Sequence, residues 1–139
     1  MTPGTILFDN QFRFKDGKTG EKLFVLLCNG SNGNYLSVKT TSNGARFGIV
    51  MGCQILDRFP NFYLPVHSSC LSKDTWIQLE EFYEFDSEKL LQAVLSGTIN
   101  RIGLLEDKLT KDLLVCATHS DDLTEYQLEL VQESLAALS

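Results

Sequence analysis

The sequence predicts an α+β protein: a small antiparallel β-barrel over residues 1–85, followed by a helical part over residues 86–139. Three observations predict it. Short apolar runs and apolar/polar alternation, punctuated by Gly, Pro, Asn and Asp, occupy the first 85 residues. From Asp86 onward the apolar spacing changes to three and four, which is helical. Near the end, Thr124 and Gln127 form a capping box ahead of a further apolar stripe. Strands first and helices last is the α+β order.

Taken in order, Thr5 to Phe8 reads as a strand, and Phe12-Arg13-Phe14 as a second strand or the far side of a bend. Asp16-Gly17 and Thr19-Gly20 mark a loop. Leu23 to Leu27 is continuously apolar, the pattern of a strand buried on both faces, and Tyr35 to Val38 is a shorter strand running into Lys39, Thr40, Thr41 and Ser42. The connection between them holds Asn29, Gly30, Asn32, Gly33 and Asn34, residues suited to the positive-φ positions of a turn. Antiparallel pairing of these strands would bring Lys22 close to Thr40 and Thr41. Asn43-Gly44 predicts a hairpin that folds Arg46 to Met51 back against Tyr35 to Lys39. Pro60 and Pro65 confine any strand between them to a short edge piece. Lys73 to Phe85 reads as one long strand with Ile77 and Leu79 on its dry face, Gln78 and Glu80 on its wet face, and a bulge near Glu81.

In the helical part, Leu90, Leu91, Val94 and Leu95 predict a helix capped by Asp86 or Ser87 and stopped near Gly97. Ile102, Leu105, Leu109 and Leu113 form the stripe of a second helix, placed near 98–116. The third begins at the capping box, with Leu123 and Leu128 as its hydrophobic staple.

A chain of 139 residues with 43% apolar content has room for one domain with a core of its own. No apolar run approaches the roughly 20 residues of a membrane-spanning helix, and MTPGTILFDN lacks the pattern of a signal peptide, so the expectation is a cytoplasmic protein. Cys28, Cys53, Cys70 and Cys116 are widely spaced with no C-x-x-C pair, which argues against a metal site and predicts buried or idle thiols. The net charge of -6 is unevenly spread: residues 1–75 hold eight Lys or Arg against five Asp or Glu, and residues 76–139 hold four against thirteen. A mildly basic front half can meet a polyanion; an acidic back half repels one. His67, Ser68, Ser69 and Cys70 share a loop and invite a nucleophile reading, but sequence adjacency supplies no group to orient the imidazole.

Three patches resemble a known family. PGTILFD, followed by Gly20-Glu21-Lys22 and the apolar run, stands where the family has Gly-x-Arg-Pro before a strand. SVKTTS stands where a family strand ends in threonine or serine. The segment from Ser72 through Lys89-Leu90 is similar to the family's long strand and first capped helix. In this order they resemble the MazF/PemK/Kid toxin ribonucleases, which have an SH3-like barrel with appended helices. The resemblance implies cofactor-free, metal-independent cleavage of single-stranded RNA by 2′-hydroxyl attack on the adjacent phosphate, in a cytoplasmic homodimer opposed by an acidic, antitoxin-like protein. Such a reaction needs a base, an acid and cations for the phosphorane.

The positions matching the family's catalytic arginine and threonine are Lys22 and Thr40, with Thr41 as neighbour. His67 is the candidate acid or base, and Arg13, Lys39, Arg46 and Arg58 are candidate RNA contacts. Lys22-Leu23 replaces the family's Arg-Pro, and lysine is a point charge where arginine is a planar fork. The alternative reading is therefore a catalytically silent member of the fold that binds a protein or peptide.

Overall fold

The computed structural model describes residues 1–138. Its strands are β1 (Thr5–Arg13), β2 (Thr19–Leu26), β3 (Asn34–Thr41), β4 (Gly52–Gln54), β5 (Asn61–Leu64), β6 (Thr75–Gln78), β7 (Tyr83–Asp86) and β8 (Ile99–Leu104). Its helices are α1 (Ser87–Leu95), α2 (Asp107–Ala117) and α3 (Glu125–Leu138). The fold is α+β: an eight-stranded antiparallel sheet with three helices, two of them C-terminal. The strand order is β4-β5-β6-β3-β2-β1-β8, with β7 also paired to β3. That path is open, so the sheet does not close into the expected barrel.

Strand β3 is the hub. One edge pairs with β2, through Phe24↔Lys39 and Leu26↔Ser37. The other edge is shared: its first half meets β7, through Tyr35↔Phe85, and its end meets β6, through Thr40↔Ile77. Lys73 to Phe85 is therefore two strands rather than one bulged strand. The break between them lets one stretch of chain serve two parts of β3. Strand β6 is central, so all four of its residues are buried and Gln78 does not lie on a wet face.

The apolar run of β2 is buried on both sides, as its pattern predicts. Val25 and Leu27 join a core shared with Leu36, Val38, Leu109, Leu113, Leu130 and Val131, under α2 and α3. Phe24 and Leu26 join a second core with Leu7, Phe12, Tyr35 and Leu90, on the side of α1. Alternate side chains of one strand thus serve two cores, because successive Cβ atoms point to opposite faces.

Several local expectations are corrected. Phe12 and Arg13 belong to the continuous β1, which is irregular between Asp9 and Phe12. Arg46 to Met51 form no strand, because the edge of β3 they would need is occupied by β6 and β7. Strand β5 is short but internal, held between β4 and β6; the edge strand is β4.

The predicted helix near 98–116 starts only at Asp107. Residues Ile99 to Leu104 form β8, which covers the open edge of β1. Ile102 is accordingly 49% exposed instead of lying on a helical stripe. Gly97, Gly103 and the β-branched Thr98, Ile99 and Ile102 all disfavour helix there.

The boundaries of α1 and the start of α3 match the sequence. The Asp86 carboxylate accepts from the Lys89 amide, and Gly97 sits at φ +81° just beyond the end of α1. The Thr124–Gln127 capping box is reciprocal, with both bonds at 3.1 Å. Cys53 and Cys116 form a disulfide joining β4 to α2, so these two are not idle thiols; Cys28 is buried and free, and Cys70 is exposed and free.

Candidate anion-binding site

Extending the β2/β3 register outward from Phe24↔Lys39 sets Lys22 beside the end of β3. Lys22 Nζ donates to the Thr40 carbonyl at 3.0 Å, and Thr40 Oγ1 donates back across the strands to the Leu23 carbonyl at 3.0 Å. The convergence expected of the lysine and the threonine pair is therefore present. Both hydroxyls are engaged: Thr40 is 4% exposed, and Thr41 Oγ1 accepts from the Asn43 amide at 3.1 Å. Burial, reinforced by the charge of Lys39, lowers the Lys22 pKa from its ordinary value.

Lys22 divides two surface cavities. The first, of about 430 Å³, is lined by Phe8, Lys22, Leu23, Thr40, Cys70 and Lys73, among others. The second, of about 360 Å³, is lined by Lys22, Lys39, Thr41, Arg46, Phe47 and Gln78, with Asn43 and Ala45 at its border. Four cations thus line the two cavities: Lys73 the first, Lys39 and Arg46 the second, and Lys22 both.

The two cations of the second cavity besides Lys22 are each held by a carboxylate. Lys39 Nζ lies 3.0 Å from Glu81 Oε2, an oxygen that also accepts from the Tyr83 hydroxyl at 2.8 Å. Burial would raise the Glu81 pKa, but the hydrogen bonds from Lys39 and Tyr83, with the charges of Lys39 and Lys15, outweigh it and hold the pKa below the usual value. The Tyr83 hydroxyl is pushed up, first by burial and then by its bond to Glu81. Arg46 lies 3.5 Å from Glu80 and stacks over Phe59 and Phe47, at 4.4 and 5.1 Å from the ring centroids. Beneath it, Phe47, Tyr63 and Trp76 form a small aromatic cluster, and Trp76 Nε1 donates to the Gly48 carbonyl at 2.9 Å.

Three expected site residues stand apart from both cavities. His67 is exposed in the loop between β5 and β6, in a left-handed conformation at φ +74°, and does not line the cavity that holds Cys70. Arg13 is exposed at the end of β1, opposite Thr19. Arg58 packs over Phe59 at 5.3 Å but faces neither cavity. The residues missed from sequence are Lys73, Phe47 and Gln78. Only Gln78 carried a signal, as a polar residue flanked by Trp76, Ile77 and Leu79. Among the described residues, no three His, Cys, Asp or Glu side chains cluster as metal ligands.

No protein-family model matches the chain, and no curated protein matches it in sequence. The class is thus defined by fold and site: an antiparallel α+β protein with four cations lining two cavities beside a strand end.

Proposed function

We propose that these cations form a single-stranded RNA site and that the protein is a toxin-like endoribonuclease working by 2′-hydroxyl attack. One observation carries this reading. Lys22 is partly buried between two cavities, with one donor spent on the Thr40 carbonyl and the rest left for a phosphate, while Lys73 lies on one side and Lys39 and Arg46 on the other. Several cations around adjoining cavities suit a backbone with a repeating charge, and the two cavities leave room for the groups flanking the phosphate. Partial burial also strengthens the pull of the Lys22 ammonium on a phosphate, because fewer water molecules screen it. The fuller reading includes a second copy of the chain and an acidic, antitoxin-like protein laid over the cations.

A specific observation favours a second reading, binding without cleavage. Both threonine hydroxyls are committed to backbone partners, and His67 lies outside the cavities. Incubation of purified protein with a long single-stranded RNA separates the two. Cleavage leaving 2′,3′-cyclic phosphate ends, lost in Lys22→Met and enhanced in Lys22→Arg, is the expected result. Uncut RNA that nevertheless binds, with a salt slope about one smaller in Lys22→Met, would establish the second reading. Absence of binding at low salt would end both.

A further inference from the structure

Gln78 is 4% exposed, yet its carboxamide hydrogen-bonds to no other described residue. No fully buried side-chain nitrogen or oxygen lacks a partner among the described residues, so the Gln78 amide reaches the surface, where its donor and acceptor are open to water or a ligand. The other largely buried amides are spent on protein partners. Gln54 bonds to the Gly48 carbonyl and to Asn61, while Asn61 bonds to Phe59 and Gln127 to Glu84. What surface Gln78 retains opens into the second cavity, beside Lys22, Lys39 and Arg46. Phe47 lines the same cavity, with the Arg46 guanidinium over its ring.

We propose that this cavity is an adenine subsite in which Gln78 reads the base. The inference rests on the RNA reading of these cations and adds which base is taken and by which residue. A carboxamide offers a donor and an acceptor side by side, the complement of adenine N7 and the N6 amino group. Single-stranded RNA exposes that edge, and its bases stack on aromatic rings and on guanidinium planes such as that of Arg46. The adjoining phosphate falls to Lys22 and Lys39. Gln78 is held rigid by its place in the central strand β6, with Asn61 opposite it on β5, so the amide is presented without a loop's mobility.

Fluorescence anisotropy with short homopolymeric RNAs of adenine, cytosine and uracil tests the assignment. The wild-type protein is expected to bind the adenine polymer about tenfold more tightly than the others, the discrimination of a good bidentate contact. Gln78→Leu, close in size, should bind all three alike at the wild-type level for uracil, with no loss of thermal stability. AMP should displace the tracer better than ribose 5-phosphate from the wild type, and equally from the variant. If Gln78→Leu fails to fold, Gln78→Glu keeps the shape but replaces the donor; it should lose the preference and weaken on every RNA. Equal binding of the three polymers by the wild type, a preference for cytosine or uracil, or an adenine preference surviving in the variants would overturn the subsite while leaving the RNA site standing. Failure to bind any of the three would overturn both.

Discussion

At the scale of single residues, the site sets an electrostatic cost against an electrostatic gain. Lys22 is destabilised as a cation by burial and by Lys39, so its folded pKa lies below its unfolded one. This opposition to folding is present while the folded lysine is charged, and it is relieved as pH rises through the lowered pKa toward the ordinary lysine value. The Lys22 contribution to RNA binding should accordingly fade as pH rises through a value below that of an ordinary lysine. Anisotropy titrated toward alkaline pH reads this directly, because Lys22→Met should remove that fall. Glu81 behaves in the opposite sense. Its pKa is depressed, so its stabilising contribution is present above the unfolded carboxylate pKa and is lost as pH falls through the depressed value. The carboxylate is partly solvated, so Glu81→Gln should cost no more than about 1 kcal/mol at neutral pH. The difference should disappear in acid, as thermal melts of both proteins at neutral and low pH would show.

At the scale of elements, the loop between β3 and β4 illustrates both what the sequence reveals and what it hides. Asn43-Gly44 reads as a hairpin turn, but the chain turns there onto an aromatic ring. A Cβ on Gly44 would overlap the indole of Trp76, so this glycine serves close approach rather than a positive φ. Gly44→Ala must displace either the ring or the loop, and should cost about 1–3 kcal/mol by overpacking. Because Asn43, Ala45, Arg46 and Phe47 all border the second cavity, the same substitution should weaken RNA binding more than a core substitution of equal thermal cost. Paired melts and anisotropy would check both.

Local signals proved sufficient wherever the chemistry was local. The continuous apolar run of β2, the Asp86 cap, the Gly97 stop and the Thr124–Gln127 box each depend on neighbours a few residues away. The Lys22–Thr40 pairing was readable too, because one turn joins its strands. Strand β8 was hidden because Ile102, Leu105, Leu109 and Leu113 mimic a helical stripe, while the open edge of β1 that recruits the strand lies far off in sequence. The burial of Gln78 was hidden for the same reason, since it depends on β5 pairing to β6.

At the scale of the whole molecule, the disulfide ties the two parts of the chain together at the end of the sheet farthest from β8. Cys53 sits in β4, the other edge of the sheet, and Cys116 in α2, with a separation of 63 residues. Strand β4 is only three residues long and pairs with β5 alone, so it has little else to hold it. Yet Gln54 in that strand fixes the preceding loop, donating to the Gly48 carbonyl and accepting from the Val50 amide, both at 2.9 Å. That loop continues to Phe47 and Arg46, so the covalent link also steadies one side of the cation site. A cytoplasmic setting would hold the pair reduced, whereas an oxidising one would keep it closed. Closing a loop of this length stabilises a folded chain by about 2–4 kcal/mol. Reduction, or Cys53→Ser, should therefore lower the melting temperature by several degrees; for a chain of this size about 1 kcal/mol corresponds to a few degrees. The effect should be local as well as global: amide exchange should quicken first in β4 and residues 46–51, ahead of β1 to β3. RNA affinity should fall through the Arg46 end, while the Lys73 end is unchanged. Identical exchange in oxidised and reduced protein would show that β4 is held by its packing and that the disulfide has no bearing on the site.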